Sequence, residues 1–91
     1  MDLAIDGNAA LVTASSSGLG KASAKALARE GADVVINGRD EDRLADALEE
    51  IEAVASGEVV AQSGDLTDPD DIETLVDRTV DEFGTIDHLV T

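Results

Sequence analysis

Between Thr13 and Gly20 the chain reads T-A-S-S-S-G-L-G, a run of small and hydroxyl residues closed by two glycines. Gly18 and Gly20 let a backbone come close to a bound group, which bulky side chains would prevent. Ser15, Ser16 and Ser17 add hydroxyl donors. If the run joins a strand to the first turn of a helix, the unpaired N–H groups and positive dipole end of that helix complete a cradle for an anion such as a pyrophosphate. The competing account is a plain strand-to-helix turn. A lone glycine motif does not separate the two, and placement in a β-α-β unit favours the cradle.

Two other clusters bear on the same ligand. Asn37, Gly38 and Arg39 close the second β-branched run. An acidic residue there would hydrogen-bond the ribose diol of NAD and repel a 2′-phosphate, whereas glycine followed by arginine favours NADP. Five of the six cations lie between Lys21 and Arg43, which agrees with an anion site. The alternative for Arg39 is an exposed partner for Asp40 or Asp42. After the third run, "SGDLTD" (63–68) carries Asp65 and Leu66: Asp65 could accept from an adenine amino group while Leu66 lies along the ring. Equally, Asp65 is a loop carboxylate that caps nearby backbone.

These residues need elements to position them. Leu44, Ala47, Leu48, Ile51, Val54 and Ala55 follow a helical period, as do Ile72, Leu75, Val76, Thr79, Val80 and Phe83. The spacing also predicts an Ala-rich helix over about 18–30, with Lys21, Lys25 and Arg29 four apart on an exposed face. Gly31, Gly57 and Gly84 stand where left-handed C-terminal caps would sit. Asp40 and Asp68 are the natural N-caps, and Pro69 suits the first helical position. The runs "AALVTA" (9–14), "DVVING" (33–38), "EVVAQS" (58–63) and "DHLVT" (87–91) are nearly continuous, as strands covered on both faces are.

The alternation βαβαβαβ with right-handed crossovers gives an α/β, Rossmann-like half fold. Its four-stranded parallel sheet has the order 3-2-1-4, with the first two helices on one face and the third on the other. A ligand crevice should open at the carboxyl ends of the strands, where the winding reverses.

The 91 residues suffice for one compact domain, expected over 1–91, and such a domain buries only about 60–70% of the surface its unfolded chain exposes. Phe83 is the single aromatic, so the core is built of Val, Leu, Ile and Ala. Two lysines face thirteen aspartates and the net charge is −15, which suits a solvated acidic shell of the kind found in high-salt cells. Such a surface argues against nucleic acid and anionic lipid as partners. Cysteine is absent, which excludes disulfides and thiolate metal sites. With neither a leader pattern at "MDLAID" nor a long apolar stretch, a soluble cytoplasmic protein is expected. His88 has no second histidine for a metal or triad, and the acidic clusters at 40–42 and 68–71 lack calcium-loop spacing.

Together, "LVTASSSGLGKASAKALAREGADVVINGRDEDRL", "GDLTD" and "IDHLVT" resemble the amino-terminal half of short-chain dehydrogenases/reductases, particularly the NADPH-using 3-oxoacyl-carrier-protein reductase-like group. The resemblance implies an oxidoreductase in which Thr13, Ser15, Ser17, Gly18, Leu19 and Gly20 occupy the T-G-x-x-x-G-x-G turn. It places Arg39 at the 2′-phosphate and Asp65 and Leu66 at the adenine. Ala14 stands where the family has its first glycine, a change that bears on affinity.

The family's catalytic serine and Tyr-x-x-x-Lys pair have no counterpart here: tyrosine is absent and both lysines fall in the first helix. Hydride transfer by the family mechanism is therefore not expected of this polypeptide alone. The first expectation is a truncated NADP(H)-binding half of a reductase. The alternatives are a stand-alone dinucleotide-binding module and a self-associating remnant. In the half fold strand four and part of one sheet face stay bare, so a homo-oligomer through them is expected.

Overall fold

A computed structural model describes residues 7–13 and 18–90 of the chain. The elements are β1 (Ala9–Val12), α1 (Gly18–Arg29), β2 (Asp33–Gly38), α2 (Glu41–Glu52), β3 (Val59–Ser63), α3 (Pro69–Phe83) and β4 (His88–Val90). All four strands are parallel in the order β3-β2-β1-β4. Ala10 lies opposite Val34 and His88, and Val34 opposite Val59, so the carboxyl ends of β1, β2 and β3 finish on one side of the molecule.

The period of two along each strand splits the apolar residues between the faces. Ala10, Val12, Val34 and Ile36 point to one face and pack with Ala24 and Ala28 of α1 and Leu44, Ala47 and Ile51 of α2. Leu11 and Val35 point to the other, where Leu75 of α3 covers them with help from Val60, Phe83 and Ile86. The second cluster is the thinner. Thr79, fully buried on α3, meets its polarity locally by donating its hydroxyl to the Leu75 carbonyl at 2.8 Å.

Asp40 caps α2 by accepting from the N–H groups of Asp42 and Arg43, and Asp68 caps α3 by accepting from that of Asp70, with Pro69 next in line. Gly31 and Gly84 adopt the left-handed conformation expected of them, at φ 98° and 80°. Gly57 does not. Helix α2 ends at Ala53 in right-handed geometry, and the chain runs through Val54 and Ala55, which continue the apolar period in a turn. Gly57 serves a close approach instead: a Cβ there would lie 2.9 Å from the carbonyl carbon of Ala32 and nearer still to its oxygen. Among the described residues no helix is long and apolar enough to cross a membrane.

Candidate functional site

The segments that follow β1, β2 and β3 gather at the carboxyl edge of the sheet. After β1, Thr13 donates both its N–H, at 2.9 Å, and its hydroxyl, at 3.2 Å, to the Val90 carbonyl. The end of β1 is thereby tied to β4 before the chain turns. Ser15, Ser16 and Ser17, with Ala14, lie outside the described residues. Gly18 opens α1 at φ 61°, a backbone angle that side chains with a Cβ rarely adopt, and an added Cβ would meet nothing within 4 Å. The next side chain, Leu19, is 87% exposed.

The start of α1 differs electrostatically from the other two helix starts. Helix α2 carries Glu41 and Asp42 in its first turn and α3 carries Asp70 and Asp71, each behind an aspartate cap. Helix α1 has no acidic residue in its first turn. In a chain with 21 carboxylates, that first turn adds no negative charge at the positive dipole end of the helix.

The second segment divides its work. Asn37 is buried and turns its Nδ2 to the carbonyls of Gln62 (3.1 Å) and Gly64 (3.4 Å), so its side chain braces the loop after β3. Arg39 is exposed. The Asp40 carboxylate is engaged in capping α2, and among the described residues Arg39 has no ion pair. The two lysines behave otherwise: Lys21 and Lys25 both bind Glu50 of α2, at 2.9 and 2.7 Å. Two of the three cations of α1 thus belong to a helix-to-helix clamp, which weakens the clustering of cations as a sign of an anion site.

In the third segment Asp65 accepts through Oδ1 from the Thr67 N–H at 2.9 Å and the Thr67 hydroxyl at 2.8 Å. These bonds hold its carboxyl below the ordinary value of 3.8, partial desolvation opposes them, and the Arg39 charge adds to them. Arg39 and Asp65 therefore feel one another across the ends of β2 and β3, where Gly64 N–H donates to the Gly38 carbonyl at 3.1 Å. The capping account of Asp65 is seen directly, and it leaves the second carboxylate oxygen for other use. Leu66, at the tip of the turn, is 38% exposed.

Asp71 was not singled out by its sequence context, yet its Oδ2 accepts from the Asp65 N–H at 2.8 Å. Its place three residues after the Asp68 cap is the usual place of a residue that reaches back toward the turn before a helix. His88 sits at the far end of the sheet, where its Nε2 pairs with Asn8 Nδ2 at 3.2 Å. Among the described residues no group of His, Asp and Glu is arranged to hold a metal ion.

Residues 8–91 match the short chain dehydrogenase family. Among curated proteins the chain is 40% identical to glucose 1-dehydrogenase of Gluconobacter oxydans over 84 residues, 92% of this chain and 32% of the relative. It is 34% identical to 11-beta-hydroxysteroid dehydrogenase-like 2 of Arabidopsis thaliana over 86 residues, 94% of this chain and 28% of the relative. Among solved structures, L-sorbose reductase from Gluconobacter frateurii, complexed with NADPH and L-sorbose, superimposes with a TM-score of 0.92 at 35% identity, covering 98% of this chain and 34% of that one. The apo glucose dehydrogenase of Caenorhabditis elegans gives 0.88 at 35% identity, covering 93% and 37%. The chain spans about a third of the length of these relatives.

Proposed function

The chain belongs to the short chain dehydrogenase family, and on that premise we propose that it is the NADP(H)-binding part of an oxidoreductase, holding the cofactor at the carboxyl edge of β1, β2 and β3. The observation that carries this reading is the start of α1: a positive-φ glycine and a first turn without acid, in a protein otherwise covered in carboxylates. A pyrophosphate would lie against the α1 N–H groups, with Gly18 and Gly20 admitting it, Ser15, Ser16 and Ser17 donating hydroxyls, and Thr13 and Leu19 framing the turn. Arg39 would take the 2′-phosphate, and Asp65 with Leu66 the adenine. Asn37 and Gly38 shape the wall between them.

When bound, the cofactor would supply the hydride. This chain's residues supply binding and orientation; no tyrosine is present to move the proton. The three motifs also support a place in the 3-oxoacyl-carrier-protein reductase-like group. The acidic surface supports a cytoplasm of high salt as its setting.

A charge-assisted contact from Arg39 is worth about 1.5–3 kcal/mol, or roughly tenfold to a hundredfold in affinity. Titration with NADPH and NADH, followed by ligand fluorescence, is expected to show a preference for NADPH that Arg39→Ala abolishes. Equal binding of the two by the unaltered chain would overturn the assignment of NADP, and no binding at roughly millimolar ligand would overturn the cofactor site itself.

A second reading, self-association, is favoured by Ile72, Val76 and Val80 on α3 and Leu89 on β4, all 38–62% exposed. We propose a second copy of the chain as their partner.

A further inference from the structure

We propose that Asp71 and Asn37 are positioning residues that present Asp65 and Leu66 to the adenine end of the dinucleotide, an inference that rests on the NADP(H) reading above. The segment between β3 and α3 has no apolar anchor of its own, since Leu66 at its tip is exposed. It is held by hydrogen bonds from two elements. From the strand side, Asn37 Nδ2 reaches the carbonyls of Gln62 and Gly64, and the Gly64 N–H reaches Gly38. From the helix side, Asp71 Oδ2 takes the Asp65 N–H at 2.8 Å.

The arrangement differs from an ordinary capping box, in which the residue three after the cap accepts from the cap's own N–H. Here the Asp68 N–H is used within the turn, donating to the Asp65 carbonyl at 3.0 Å. Asp71 reaches past it to Asp65. Gly64 lies against that reach, since a Cβ there would stand in van der Waals contact with the Cβ of Asp71, at 3.4 Å. With Thr67 occupying Oδ1 of Asp65, a ring amino group would be served by Oδ2.

Ordering this turn before the ligand arrives removes a cost that binding would otherwise bear. Loss of the Asp71 acceptor should therefore weaken ligands that carry adenine and spare those that do not.

The test uses adenosine 2′,5′-bisphosphate and reduced nicotinamide mononucleotide as probes of the two ends, with circular dichroism to establish that each variant is folded. Asp71→Ala is expected to bind the bisphosphate about tenfold more weakly and the mononucleotide unchanged. Asp71→Asn, which keeps an acceptor at the same place, should restore most of the loss. In the unaltered chain, free of ligand, the Asp65 amide should be protected from hydrogen exchange; this measurement stands even if Asp71→Ala does not fold. An unprotected Asp65 amide, a folded Asp71→Ala that binds the bisphosphate normally, or equal weakening by both substitutions would each overturn the positioning role while leaving the NADP(H) reading intact. Failure of the unaltered chain to bind the bisphosphate would overturn that reading and the inference together.

Discussion

At Gly57 the chain passes against the Ala32 carbonyl, and at Arg39 it extends a cation with no ion pair among the described residues, beside a carboxylate that caps a helix. Both facts depend on what another segment does at that point. For Gly57→Ala the consequence is steric: the added methyl meets backbone, which cannot turn aside as a flexible side chain can. The next residue is pinned as well, with Glu58 N–H donating to Asp33 Oδ1 at 2.9 Å and its carbonyl accepting from Val34 N–H at 2.8 Å. We expect Gly57→Ala to destabilise the fold by about 2 kcal/mol or more, read as a lower urea midpoint with an unchanged slope. A glycine after a helical period reads in sequence as a left-handed cap, which holds for Gly31 and Gly84. Spacing cannot distinguish that use from a close approach, since the approaching carbonyl is 25 residues away in the chain.

Among the elements, α1 and α2 are joined by more than the alanine-lined core beneath them. Glu50 receives Lys25 on one oxygen and Lys21 on the other, and these hydrogen bonds, Lys25 first, lower its pKa from 4.5 to about 2. A carboxylate depressed in the folded state contributes stability that is fully present above its unfolded value and is lost as pH falls toward the folded one. The clamp should therefore hold above about pH 4.5 and release between there and about pH 2. Acid also relieves the repulsion among the other carboxylates, so the signal lies in a difference. Thermal midpoints of the unaltered chain and Glu50→Gln should be separated near neutral pH and converge through that acid window. The periodicity of α1 was legible, and so was its row of cations. That Lys21 and Lys25 of the row reach Glu50 of α2 follows from how two helices pack side by side on one sheet face, which no single-helix pattern contains.

For the whole molecule, charge and apolar surface act in opposite directions. The net charge of −15 opposes both compaction and the approach of a second copy, while Ile72, Val76, Val80 and Leu89 favour contact. Screening should tip the balance. Sedimentation in dilute buffer and in roughly molar salt is expected to show a shift from monomer to dimer or larger, together with a higher thermal midpoint, and Leu89→Lys should keep the chain monomeric. A monomer at both salt concentrations would remove the self-association reading, and an unchanged midpoint would remove the high-salt one. The four β-branched runs, the three helical periods and the aspartate caps determined by themselves which elements form, and right-handed crossovers left one simple sheet order for them. Local propensity and burial by period are properties of short segments, so the chain carries them openly. What only the tertiary structure decided is which polar groups meet: Asn37 turned inward to Gly64, Lys21 and Lys25 given to Glu50, and Asp71 reaching Asp65. Those pairings depend on the spacing of strand ends and helix starts, and that spacing exists only after the sheet has brought segments distant in the chain to one edge.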